Sequence, residues 1–372
     1  MFKKSLIAVA VLGATAFSVQ AAEVTMYGKV DLGLQYKTSE VTVGDKTMVD
    51  EDTFSMENGR NSASRFGIKG SEDLGNGMKV SFQLENGFKA DSGEFKTEGK
   101  LFDRQATVAL SSDFGTLTMG RVGGVGSGAG FDLVYGYGDA FDGGDGDVFG
   151  FATSDRYDNM VTYQTPSFSG FQATVQYSLN ESSVDNTKRE NSSQVDRYLG
   201  LALTAELGAF QSVLAYETQN YASFGDKAQA NTEDGQVVYL GGNYDFEVAK
   251  VFVMGQYFKG LAENPFASDA FERDPVDGEG VKGFGAHVGT IVPIAGGDFT
   301  GGLYYVDSTV KNAEEDADGK YYGVALKYEY PLSKRTSVYG GTGWYKAKVD
   351  YSADDVYKEE GYQAYLGLTH CF

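Results

Sequence analysis

Val24-Thr25-Met26-Tyr27-Gly28-Lys29-Val30-Asp31-Leu32-Gly33-Leu34-Gln35-Tyr36 decides the fold class. Its even positions are mostly apolar and its odd positions mostly polar, a period of two that marks a β-strand with one greasy and one wet face. The same alternation returns between Met78 and Glu85 and between Phe171 and Tyr177. In a soluble sandwich the polar face would point outward; in a closed barrel it lines the lumen, and the apolar face meets lipid.

Upstream of this stretch, Lys3 and Lys4 precede an apolar run from Leu6 to Phe17 and then Ser18-Val19-Gln20-Ala21. Residues 1–21 therefore read as a cleaved secretory signal peptide, leaving 22–372 as a single barrel domain. The whole chain carries 31 basic and 52 acidic residues; without the two leader lysines the balance is 29 minus 52, or -23. Such an acidic chain is a poor partner for nucleic acid, which needs a basic face. No run of 18 or more apolar residues follows the leader, so spanning by helices is not expected, whereas barrel strands show lipid only every second residue.

Alternation places sixteen strands near residues 24–36, 64–70, 78–88, 101–110, 116–121, 158–164, 171–178, 197–206, 209–217, 236–245, 248–259, 282–293, 298–307, 320–330, 336–346 and 361–372. Tight connections such as Glu72–Gly77 and Glu206–Gly208 alternate with long polar ones, including 37–63, 122–157, 308–319 and 347–360. Short turns at one end and long loops at the other are the construction of an outer-membrane barrel. The apolar alternation of Gly361–Phe372 runs to the last residue, as a strand that closes against the first one requires.

Between Arg121 and Tyr157 lie eleven glycines and six aspartates with little apolar periodicity. A segment of that length is either functional or disordered. Its run Gly123–Gly130 carries no lysine where a phosphate loop needs one, and no helical pattern follows. With two histidines, His287 and His370, and one cysteine, Cys371, the chain offers no transition-metal cluster, no internal disulfide and no catalytic grouping. No catalytic residue, metal ligand or cofactor is expected, and the protein reads as a non-enzyme.

In order and spacing, Thr25–Asp31, Ser64–Gly75, Asp103–Ala106, Phe114–Arg121, Asp155–Asn159 and the terminal Phe372 resemble the general porins of Gram-negative outer membranes, over the whole mature chain. The resemblance implies an all-β fold, a 16-stranded antiparallel transmembrane β-barrel with an in-folded third external loop, here about 122–157. It implies a homotrimer passing small hydrophilic solutes and ions. It further implies a pore constriction in which Arg65, Arg104 and Arg156, with Lys29, form a basic wall facing loop acids drawn from Asp139, Asp142, Asp145 and Asp147.

Arginines stay charged at any relevant pH, and a transverse field between such walls slows apolar solutes that must displace oriented water. The expected function is a passive diffusion channel; a substrate-selective channel and a surface receptor or adhesin on a barrel scaffold are the competing readings. The net acidity predicts a bias toward cations, tempered by the arginines. Outer-membrane lipid and lipopolysaccharide are the expected surroundings, the acidic loops bridging to lipopolysaccharide phosphates through divalent ions.

Overall fold

The computed structural model describes residues 23–128, 130–141, 156–180, 182–184, 187–222, 233–262, 278–312, 316–350 and 356–372; the segment expected to be a signal peptide lies outside the described residues. The wall begins with β1 (Glu23–Val43), β2 (Lys46–Asn58), β3 (Arg65–Gly75), β4 (Met78–Gly87), β5 (Gln105–Ser112), β6 (Gly115–Gly123), β7 (Arg156–Gln164) and β8 (Phe171–Ser178). A two-stranded ribbon of β9 (Ser182–Val184) and β10 (Thr187–Arg189) stands apart from it. The wall resumes with β11 (Arg197–Leu207), β12 (Phe210–Asn220), β13 (Gly235–Asp245), β14 (Lys250–Leu261) and β15 (Gly278–Ile294). It ends with β16 (Gly297–Asn312), β17 (Ala317–Ser333), β18 (Thr336–Asp350) and β19 (Val356–Cys371). All pairings are antiparallel, and β19 closes on β1 from Lys29 opposite Cys371 to Val43 opposite Tyr357.

β2 and β3 together fill one position in the ring. β2 pairs with the outer half of β1, Leu32 opposite Asn58, and β3 with the inner half, Lys29 opposite Arg65. The seventeen strands of the sheet thus form a closed barrel of sixteen, the closed ring that lipid demands, with β2 pairing only with β1.

The long connection expected at 37–63 is mostly strand. β1 continues to Val43, turns at Gly44, whose φ is +59°, and returns as β2. The spans 308–319 and 347–360 are likewise largely extensions of β16 to β19. Alternation disappears there for a physical reason. The 17 residues of β17 rise about 44 Å at roughly 3.4 Å each and a tilt of about 40°, against an apolar band of about 25 Å. The upper part of such a strand stands in water and has no greasy face to betray it.

The third long connection folds into the lumen. Its short helix α1 (Leu133–Gly138) places Leu133 and Val134 beside Val125, Ala140 and Phe141, against inward residues of β11 to β18 such as Met254, Tyr304 and Tyr345. Two glycines permit this path. At Gly130, φ is +99° and a Cβ would strike the Val122 side chain; at Gly138 a Cβ would strike the Met254 methyl where α1 lies on β14. One side of the lumen is therefore filled by a dry core, and the pore is displaced to the other.

Candidate functional site

The open side of the lumen holds a chamber of about 910 Å³. Strand parity aims Lys29 of β1 and Arg65 of β3 into it, Arg104 enters from the residue before β5, and Arg156 from the start of β7. These four basic residues, far apart in the chain, line one cavity. Lys29 donates to the Ser62 hydroxyl at 2.9 Å. Arg104 is ion-paired, its Nε 2.7 Å from Glu85 Oε1, with the two side chains only 10% and 11% exposed. Tyr27 donates to the other Glu85 oxygen at 2.9 Å, so this carboxylate is held between two donors.

The loop acids separate into distinct roles. Asp139 does not line the chamber; it is 3% exposed, packed against the wall, and accepts hydrogen bonds from the Tyr304 hydroxyl and from Phe141 N–H, both at 3.0 Å. His287 Nε2 lies 3.4 Å from the same carboxylate oxygen and 3.3 Å from the Ala140 nitrogen. Asp139, one of the four loop acids expected opposite the arginines, is thus a tether of the loop, because α1 turns it toward β15 and β16. Asp132, at the opposite end of α1, does line the chamber. Asp142, Asp145 and Asp147 lie outside the described residues.

Sequence reasoning missed further lining. Between β2 and β3 the chain breaks from the wall, and Asn61, Ser62 and Ala63 enter the chamber's lining. The signal was present in Asn58-Gly59-Arg60-Asn61, where alternation fails and Gly59 has a φ of +76°. Asn61 joins Lys327 at 2.7 Å and Glu329 at 3.1 Å. Lys327, Lys334 and Arg335 add basic charge, and Asp298 and Glu329 add acid. With the four expected cations and with Glu85 and Asp132, the described lining has seven basic and four acidic side chains, a balance of 7 minus 4, or +3. Cys371 also lines the chamber, across the β1–β19 seam from Lys29.

The chamber continues along the same wall. A second cavity of about 650 Å³ shares Arg104 and Arg156 with it and adds Lys96, Lys100 and Arg121. Lys100 and Arg121 each stand 2.7 Å from an Asp158 carboxylate oxygen, and Arg121 Nε donates to the Asp103 carbonyl at 2.7 Å. Arg121 therefore faces water and also ties the base of the third loop. A third cavity of about 400 Å³ shares Gln83 and Gln105 with the first and reaches Lys69 and Lys79.

Loop attachment on the packed side is polar at its edges. Glu217, 4% exposed, accepts from the Tyr239 hydroxyl at 2.8 Å, the Tyr198 hydroxyl at 3.1 Å and Gly126 N–H at 3.3 Å. Asn243 donates to the Tyr137 carbonyl at 2.9 Å. Burial, and then the Glu206 carboxylate beside it, pushes the Tyr137 hydroxyl up to about 12, so it remains a donor at physiological pH.

A membrane barrel with a polar path past an in-folded loop defines a channel of the outer-membrane type. The family model for Gram-negative porins matches residues 8–350. An outer membrane porin of Bordetella pertussis is 35% identical over 368 residues, covering 91% of this chain and 92% of its own. Outer membrane porin protein 32 of Delftia acidovorans is 30% identical, covering 93% and 90%. The structure of the anion-selective porin from Comamonas acidovorans aligns with a TM-score of 0.64 at 25% identity, over 94% of this chain and 100% of that one. The chain belongs to the Gram-negative porin family, and it forms a channel for solute diffusion across the outer membrane.

Proposed function

We propose that this porin passes small hydrophilic solutes and ions passively, as a homotrimer. In this reading they are filtered by size and charge where Lys29, Arg65, Arg104 and Arg156 meet. The observation that carries it is the convergence of these four side chains, from separate parts of the chain, on a single cavity. Asp132 supplies opposing loop charge among the described lining. The trimer form of OmpT, an outer membrane protein of Vibrio cholerae that shares the fold at 16% identity, fits the assembly.

The local balance supports a preference for anions, opposite to what the net charge of -21 suggests. An ion in the chamber responds to charges within a screening length of about 8 Å, so acids on distant loops count little there. Pairing of Arg104 with Glu85 removes one charge of each sign and leaves +3 among the described lining. The similar structure from Comamonas acidovorans is itself described as anion-selective.

The deciding measurement is planar-bilayer recording of the purified protein in a salt gradient. Stepwise conductance proportional to bulk conductivity, with a reversal potential on the anion side, is expected. Saturable block by one solute would replace general diffusion with selective transport, and a cation-side potential would overturn the charge filter.

A further inference from the structure

Two residues of β1, Val30 and Asp31, lie between the pairs Lys29–Arg65 and Leu32–Asn58, whereas six, residues 59–64, lie between Asn58 and Arg65 on the other side. The ladder can hold two of the six, and 6 minus 2 leaves four that must leave the wall. The break is at membrane depth, since Leu34, Phe54 and Met56 beyond it are apolar, outward and exposed. An outward bulge would put backbone amides into lipid, and an inward one meets water, so the surplus enters the lumen. Its base closes on one residue of β1. Gly59 N–H donates to the Asp31 carbonyl at 3.1 Å, and Ser64 Oγ accepts from Asp31 N–H at 3.0 Å.

From that base the segment runs over the inner face of the neighbouring strands. Arg60 Nη2 donates to Gln363 of β19 at 2.6 Å, and its guanidinium lies 5.2 Å from the centre of the Tyr365 ring. Asn61 reaches as far as β17. Its Nδ2 donates to Glu329 at 3.1 Å and to Thr369 of β19 at 3.4 Å, and its Oδ1 accepts from Lys327 at 2.7 Å. Lys327 Nζ in turn stands 5.5 Å from the centre of the Phe141 ring, in the third loop. Two inward segments, one from each side, therefore meet at Lys327. Together they leave open the wall from β3 to β7, which carries Arg65, Arg104 and Arg156.

We propose that residues 59–64 are a second constriction element, closing a collar with the third loop at Lys327, and that Asn61 is the side chain that sets the chamber's width on its β17 side. This deepens the size filter and rests on the diffusion-channel reading. Three hydrogen bonds fix the Asn61 amide, so it bounds the water column as a rigid wall and not as a side chain that yields to a passing solute. The amide also stands between Lys327 and Glu329, which form no direct ion pair among the described residues. Ser62 serves the opposite edge: it accepts from Lys29 at 2.9 Å and lies 3.5 Å from Arg65 Nη2, which holds both cations at the chamber.

The thiol native to the chamber is first removed by Cys371→Ser. In that background, single Asn61→Cys channels in a planar bilayer are exposed to methyl and to benzyl methanethiosulfonate, both neutral. The thiolate forms a disulfide with the reagent's sulfenyl sulfur, and methanesulfinate leaves. The benzyl group is expected to cut conductance by roughly half and the methyl group to cut it less, a grading by bulk. Ser81→Cys, in the neighbouring cavity, is expected to show a smaller block with the same reagents. In liposome swelling, Asn61→Ala is expected to admit raffinose, relative to arabinose, about twofold faster than the parent channel does. No block at Asn61→Cys, an equal block at Ser81→Cys, or an unchanged sugar ratio would each overturn the assignment. Each block is measured against the same channel before reagent, so it tests Asn61 apart from the diffusion reading, which saturable sugar uptake would contradict instead. Should Asn61→Cys fail to refold, the sugar ratio of Asn61→Ala decides.

Discussion

The two sides of the lumen are built from one alternating pattern and end in opposite states. On the side of β11 to β18, inward residues such as Ala215, Phe252, Met254 and Tyr304 pack against the third loop and exclude water. On the side of β1 and β3 to β7, inward residues are Lys29, Arg65, Gln83 and Glu85, and the space stays open. A wall strand needs only an apolar outward face to satisfy lipid. Its inward face is unconstrained by the membrane, so the choice of apolar or charged side chains there decides where the loop lies and where solutes pass.

Breaking the packed side should have the largest effect. Val134 is 2% exposed in the core under α1. Val134→Asp buries an unpaired charge at a cost of several kcal/mol, which the loop escapes by detaching. The barrel, held by its own ring of hydrogen bonds, is expected to remain folded in gel migration assays, while single-channel conductance and the size of admitted solutes rise. A collapse of the barrel with unchanged conductance in surviving channels would show that the core serves the wall rather than the loop.

Emptying the open side comes next. Replacing Arg65, Arg104 and Arg156 by alanine removes three of the seven described cations and frees Glu85. The anion preference is expected to be lost, the reversal potential moving toward the cation side, and larger solutes to enter. Unchanged permeability would take these residues out of the filter. A gentler change on the same side, Glu85→Gln, releases the Arg104 charge and should raise anion preference by roughly twofold through the local field. A shift toward cations would contradict the ion pair as the reason Arg104 is muted.

The smallest expected effect tests the joint between the two sides. Tyr304→Phe removes the hydroxyl that Asp139 accepts at 3.0 Å, leaving a carboxylate with fewer partners, at a cost of about 1 kcal/mol. Open-channel noise should increase with mean conductance nearly constant. A large conductance change would mean that this single bond, and not the apolar packing, holds the loop.

Much of this was legible beforehand, for identifiable reasons. Strand number follows from outward residues that must be apolar, as in Leu32, Leu34 and Tyr36, and the inward aim of Lys29 follows from the same parity. Strand length was not legible in β1, β2 and β16 to β19, because their upper parts leave the lipid and lose the constraint. Asp139 and Asp132 look alike in sequence; their roles diverge because a six-residue helix, oriented by Val134 and Met254, turns one to the wall and the other to the water.

The sequence by itself determined that the chain is a lipid-facing barrel with a lumen and a long third loop, since membrane solvation acts residue by residue and leaves a period of two. Only the tertiary structure decided which half of the lumen is plugged and that Glu85 pairs with Arg104. It also decided that Asn61, between β2 and β3, reaches Lys327 on β17. Those outcomes depend on register and on side chains meeting across strands, which no local pattern encodes.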